Sequence, residues 1–166
     1  MRIKKIFLLL SLSVLFTFCG EKNDKEIFEE GNRLLAEEKY EEAVIKFGKL
    51  ASKFKNSNLA PKALFETAKV YQGKVIKDMH VKESLLKSVK VYQQIFNEYP
   101  KSKEAENSLF MSGFILANEL KDFDKAKKTY EKYLKIFPNG KLVNDAKIEL
   151  ANLGKTPEEI LNEKMK

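Results

Sequence analysis

The chain has 166 residues, enough for one ordinary domain, and its 43% hydrophobic and 33% charged content excludes both a disordered tail and a large multidomain enzyme. Its formal charge of +7 falls to +4 from residue 19 onward, 28 basic against 24 acidic, because Arg2, Lys4 and Lys5 precede that point. The remaining lysines alternate with glutamates, as in "LLAEEKYEEAVIKF", the composition of solvated helix faces and not of a nucleic-acid surface. With one histidine, one cysteine and seven glycines there is no Ser/His/Asp set and no glycine-rich phosphate loop, and His80 has no second His or Cys near it in sequence for a metal. An enzyme, a cofactor, a metal site, a small-molecule substrate and a nucleic-acid partner are therefore not expected.

Residues 1–18 read as an export signal. "MRIKK" is a positive n-region, and the apolar run at 6–18 has 13 residues. A membrane-crossing helix needs about 20 apolar residues, and the polar "GEKNDKE" follows at once, so transmembrane anchoring is the weaker reading. Ordinary cleavage asks for small residues at −3 and −1, yet the first alanine is Ala36. Cys19 stands where cleavage should fall, and the segment resembles a bacterial lipoprotein signal, in which that cysteine becomes the first mature residue and carries the lipid. Thr17 fits the −2 position of that pattern and Phe16 is acceptable at −3, while Phe18 departs from the small residue usual at −1. The other readings of a lone exported thiol are a free cysteine or an intermolecular bridge.

Each buried methylene contributes about 0.8 kcal/mol, so two or three acyl chains on Cys19 would hold the protein at the membrane. Gly20 resembles lipoproteins sent to the outer membrane, facing the periplasm. Residues 19–24, the lipidated cysteine and a short polar tether, would keep the folded part close to the bilayer.

The rest of the chain repeats itself. "IFEEG" at 27–31, "LFETA" at 64–68, "LFMSG" at 109–113 and the weaker "KIELA" at 147–151 align without gaps, at spacings of 37, 45 and 38 residues. Each of the first three is followed by a small residue with aromatics four and eleven positions on: Ala43, Phe47 and Phe54; Ser88, Tyr92 and Tyr99; Ala126, Tyr130 and Phe137. Pro100 and Pro138, with Lys55 at the equivalent place, and the turn residues "NSN", "KSK" and "NGK" then stop one helix before the next begins. Apolar residues between the stops recur at i, i+3, i+4 and i+7, as in Val89, Tyr92 and Phe96. The prediction is an all-α solenoid of helix pairs: repeats at about 25–58, 59–103 and 104–140, then a partial repeat and cap at 141–166. In the last segment Thr156 and Glu159 fit a capping box. Gly31, Ala68, Gly113 and Ala151 are expected to face Ala43, Ser88 and Ala126 across each pair, letting the helices touch. Repeat two carries an insertion around 75–84, read as a longer hairpin or as a contact loop, with His80 exposed in it.

These motifs resemble the tetratricopeptide repeat (TPR) family over about residues 24–154. The longer spacing and the junctions "FKNSNLAPKALF" and "YPKSKEAENSLF" look like its periplasmic branch, which includes the BamD/YfiO outer-membrane assembly lipoproteins and the TPR part of the Tol-Pal protein YbgF. The resemblance implies a lipid-anchored scaffold that holds other envelope proteins, in β-barrel assembly on the BamD side or in envelope maintenance or division on the YbgF side. Activation of a peptidoglycan enzyme is a further alternative. In this family the helix-A positions of Phe28, Phe65, Phe110 and Ile148 often face the concave groove, although an aromatic stripe at this spacing is more often core. The groove candidates lie one turn further on: Asn32, Lys69 and Phe114, with Leu35, Gln72 and Ala117 beside them, a lining suited to an extended or helical peptide.

Overall fold

The computed structural model describes residues 23–165, so the segment expected to be an export signal and Cys19 lie outside the described residues. All the described secondary structure is helical: α1 (Asp24–Ala36), α2 (Tyr40–Lys53), α3 (Ala60–Gln72), α4 (Val81–Glu98), α5 (Ala105–Phe114) continued by a π-turn (Ile115–Glu119), α6 (Phe123–Ile136), α7 (Val143–Ala151) and α8 (Pro157–Lys164). Each helix from α1 to α7 packs chiefly on its neighbours in sequence. That is the nearest-neighbour stacking of a TPR-like solenoid, in which a pair buries its apolar stripe only with the next pair in place.

Local chemistry sets the helix starts. Asn23 accepts the Glu26 N–H at 3.0 Å and Asp122 accepts the Lys125 N–H at 3.2 Å, each satisfying an orphan donor of a first turn. Pro61 sits in the first turn of α3, where a missing N–H costs nothing. Thr156 and Glu159 form the reciprocal capping box at the start of α8.

The core repeats as the motifs do. In each of the first three pairs the helix-A aromatic meets the buried helix-B aromatic: Phe28 on Phe47 at 5.6 Å between ring centroids, Phe65 on Tyr92 at 5.4 Å and Phe110 on Tyr130 at 5.7 Å, all tilted or edge-on. Such pairs contribute about 0.5–1.5 kcal/mol each beyond the area they bury. Phe28, Phe65 and Phe110 are thus packing residues.

The small positions allow close approach, and at two of them the nearest neighbour is the helix-B aromatic. A Cβ on Gly31 would come within 2.4 Å of the Phe47 ring, one turn beyond Ala43, and one on Gly113 would lie 3.0 Å from Tyr130 and 3.3 Å from Thr129. The side chain of helix B nearest to these glycines is therefore its aromatic. In the middle pair Ser88 Oγ donates to the Ala68 carbonyl at 2.8 Å, the direct pairing expected there. Ala151 does not follow the pattern and is exposed, because no helix B packs across it.

Two insertions are absorbed differently. From Gly31 to Ala43 the chain runs twelve positions, and from Gly113 to Ala126 it runs thirteen. The extra residue is taken up by the π-turn, where the Leu120 N–H reaches the Ile115 carbonyl at 2.9 Å, five residues back. The longer insertion of the middle pair forms the loop 73–80, and α4 begins at Val81, so residues 81–84 belong to a helix and not to the hairpin. Ser84 is buried and donates to the Tyr71 carbonyl at 2.6 Å.

Candidate protein-binding groove

Asn32, Lys69 and Phe114 hold the same register on α1, α3 and α5, at the repeat spacings of 37 and 45 residues. Leu35, Gln72 and Ala117 follow each by three positions, less than one helical turn away. Asn32 and Lys69 are exposed, while Leu35, Gln72 and Phe114 are half-buried. Ala117 is a correction: it is only 4% exposed, because it falls inside the π-turn, where the wider turn shifts its direction from the one a continuous α-helix gives. The row that remains is polar at its first two stations and aromatic at the third.

Hydrogen bonds fix two of these side chains. Lys69 Nζ meets Glu66 Oε2 at 2.8 Å, and the Tyr92 hydroxyl donates to Gln72 Oε1 at 3.1 Å. Burial, and after it the Glu66 carboxylate, pushes the Tyr92 hydroxyl well above its ordinary range, so it stays protonated and remains a donor. Gln72 is therefore positioned by a residue of the core behind it.

The ends of the A helices are tied across repeats by polar contacts that periodicity could not reveal. Lys74 Nζ bonds Glu119 Oε2 at 2.8 Å, linking the middle pair to the third. The Lys77 N–H donates to Glu41 Oε1 at 2.8 Å, linking the insertion back to α2, and that bond holds the Glu41 carboxyl below its usual range. Asn118 Nδ2 donates to Glu149 Oε2 at 3.0 Å, linking the third pair to α7. The loop 73–80 is thus bolted to both neighbours, and His80 is exposed at its end, preceding α4 without a side-chain capping bond.

Among the described residues no group of three or more His, Cys, Asp or Glu side chains could hold a metal ion, and no helix is long and apolar enough to cross a membrane. What the arrangement can do is present a row of side chains along a stack of helix pairs. A family model described as YfiO, outer membrane lipoprotein, matches residues 20–153, beginning one position after Cys19 and ending just past α7. A search of curated proteins finds no match.

Proposed function

The chain belongs to the YfiO family of outer membrane lipoproteins, and from that membership we propose that it is a lipid-anchored scaffold of the outer membrane that holds other envelope proteins from the periplasmic side. Cys19 carries the lipid in this reading, and assembly of outer-membrane β-barrel proteins is the process it serves. The protein performs no catalysis and needs no cofactor beyond that lipid. The observation that carries the reading is the row of Asn32, Lys69 and Phe114, repeated at one register while the aromatics Phe28, Phe65 and Phe110 behind it are spent on packing. A stack that packs these aromatics and keeps Asn32 and Lys69 exposed beside a half-buried Phe114 has surface available for a peptide of extended or helical form.

The test is affinity capture of the full-length protein from gently solubilised envelopes, with the co-purifying chains identified by mass spectrometry. A β-barrel insertase is expected, and its recovery should fall on Lys69→Glu with helical circular dichroism unchanged. Recovery of Tol-Pal components or of a peptidoglycan enzyme would replace the assembly reading. For the anchor, Cys19→Ser should move the protein from the detergent phase to the aqueous phase; retention in detergent would sink lipidation as the means of attachment.

A further inference from the structure

The three junctions between helix pairs share one construction. Each helix B ends on an aromatic C-cap, Phe54, Tyr99 or Phe137, and the N–H three residues later, on Ser57, Ser102 or Gly140, returns to that aromatic's carbonyl at 2.9, 2.9 and 3.0 Å. A second turn follows, with Ala60 on Ser57, Ala105 on Ser102 and Val143 on Gly140.

What differs is the carboxylate that receives the junction. At the first, Ser57 Oγ donates to Asp24 Oδ2 at 2.5 Å. At the third, Glu106 Oε1 accepts the Tyr133 hydroxyl at 2.7 Å and the Lys141 N–H at 2.6 Å. A Cβ on Gly140 would lie 2.5 Å from that same oxygen, so the glycine makes room for it. Asp24 and Glu106 occupy one register of helix A, three residues before Ile27 and Leu109. In the middle pair that register holds Pro61, three residues before Leu64.

The middle junction therefore lacks its carboxylate. Ser102 Oγ is shut off from solvent and has no hydrogen-bond partner. Beside it, between the first and second junctions, opens a cleft of about 650 Å³ walled by Pro61 and Ser102 and by four exposed lysines, Lys55, Lys62, Lys101 and Lys103, against two glutamates.

We infer that this cleft takes the side-chain carboxylate of an Asp or Glu from an acidic segment of a partner protein, standing where Asp24 and Glu106 stand in the flanking pairs. A buried hydroxyl left unpaired is unfavourable, and a hydrogen bond to a carboxylate is roughly twice as strong as one to a neutral acceptor. A serine χ1 has three staggered wells, so the hydroxyl has other directions open to it. The lysines raise the local concentration of anionic segments. A carboxylate is favoured over a phosphate because the two filled copies of the site both use one. The inference rests on the scaffold reading only in taking a protein segment as its ligand, and its residues are distinct from the row on α1, α3 and α5.

The test uses the full-length protein in detergent and a fluorescein-labelled, C-terminally amidated peptide of alternating Glu and Ser, followed by anisotropy, with the Gln and Ser version as control. The Glu peptide should bind at least tenfold more tightly. Pro61→Glu, which gives the middle pair a carboxylate at the register of Glu106, should erase that difference with helical circular dichroism unchanged. Ser102→Ala and Lys62→Gln, which leave Pro61 in place, should each weaken the Glu peptide several-fold, and Lys69→Glu should not change it, so failure here is separable from failure of the groove. Equal binding of the two peptides, or binding that survives both Pro61→Glu and Ser102→Ala, would overturn the inference. So would equal binding of a peptide whose only carboxylate is its C-terminus, or capture of phosphatidylglycerol vesicles in place of peptide, since these assign the cleft to a chain end or to a lipid headgroup.

Discussion

The first and last helix-A segments carry the same motif and meet different fates. In α1 the motif packs: Ile27, Gly31 and Leu34 are buried, and the Phe47 ring of α2 lies where a Gly31 side chain would be. In α7 Ile148 is 57% exposed and Ala151 is exposed as well. Only Ala146 of that helix is fully buried. Part of the difference is in the segments themselves, since Lys147 and Gly154 stand where α1 has Ile27 and Leu34. α2 brings an aromatic across α1, whereas α8 carries Leu161 at 57% exposure and offers no equivalent ring. Burial of helix A thus needs both its own apolar stripe and the helix B that follows it, as expected where stability is a sum over neighbouring interfaces.

The widest contrast should come from removing the ring that separates the two ends. Phe47→Ala is expected to cost about 3–5 kcal/mol, read as a lower urea midpoint, while Ile148→Ala should move that midpoint by no more than about 0.5 kcal/mol. Equal losses would mean that α7 is covered in solution. Next come the small positions: Gly31→Ala pushes a methyl into the Phe47 ring and should cost about 1–3 kcal/mol, whereas Ala151→Leu should be nearly neutral.

Gly48 provides the opposite sign within the same pair. It lies in α2 with nothing within 4 Å of an added Cβ. Gly48→Ala should therefore raise stability by about 0.5–1 kcal/mol, measured as a higher melting temperature. The smallest effect is expected at the other end: Thr156→Ala removes the capping box of α8 and should lower the helical signal slightly, leaving the global unfolding midpoint in place.

A pH series separates the packed pairs from the open end in another way. Burial pushes the hydroxyls of Tyr92, Tyr130 and Tyr133 well above the tyrosine value of 10.0. In the unfolded chain they ionise near that value, so the unfolded state binds fewer protons above it and stability is lost as pH rises further. Absorbance at 295 nm should show these three tyrosines ionising together with the loss of helical signal, and ionisation ahead of unfolding would contradict their burial.

The helical period, the pairing and the aromatic register were legible in the sequence because each is a regular spacing of residue types, and spacing is what a solenoid converts into contact. The partner of Gly31 was not, since spacing names a face and not which side chain on the opposing helix fills the gap. The burial of Ala117 was hidden because a π-turn needs one residue too many, which shows only on counting Gly113 to Ala126 against Gly31 to Ala43. The polar bolts from Lys74 to Glu119 and from Glu41 to Lys77 join residues dozens of positions apart, with charges indistinguishable from those of solvated faces. The middle junction is legible only by subtraction: Pro61 is unremarkable until Asp24 and Glu106 are seen to share its register.

The π-turn at Ile115–Glu119 also bears on how such a chain can change length. One surplus residue is stored inside a helix, downstream of one motif and upstream of the next, so both remain in phase with their partners. Deleting a single residue there would restore the spacing of the first pair and convert the bulge to ordinary α-helix. Insertions and deletions of one residue are therefore reversible neighbours in sequence space, open to the third pair without any loop being rebuilt.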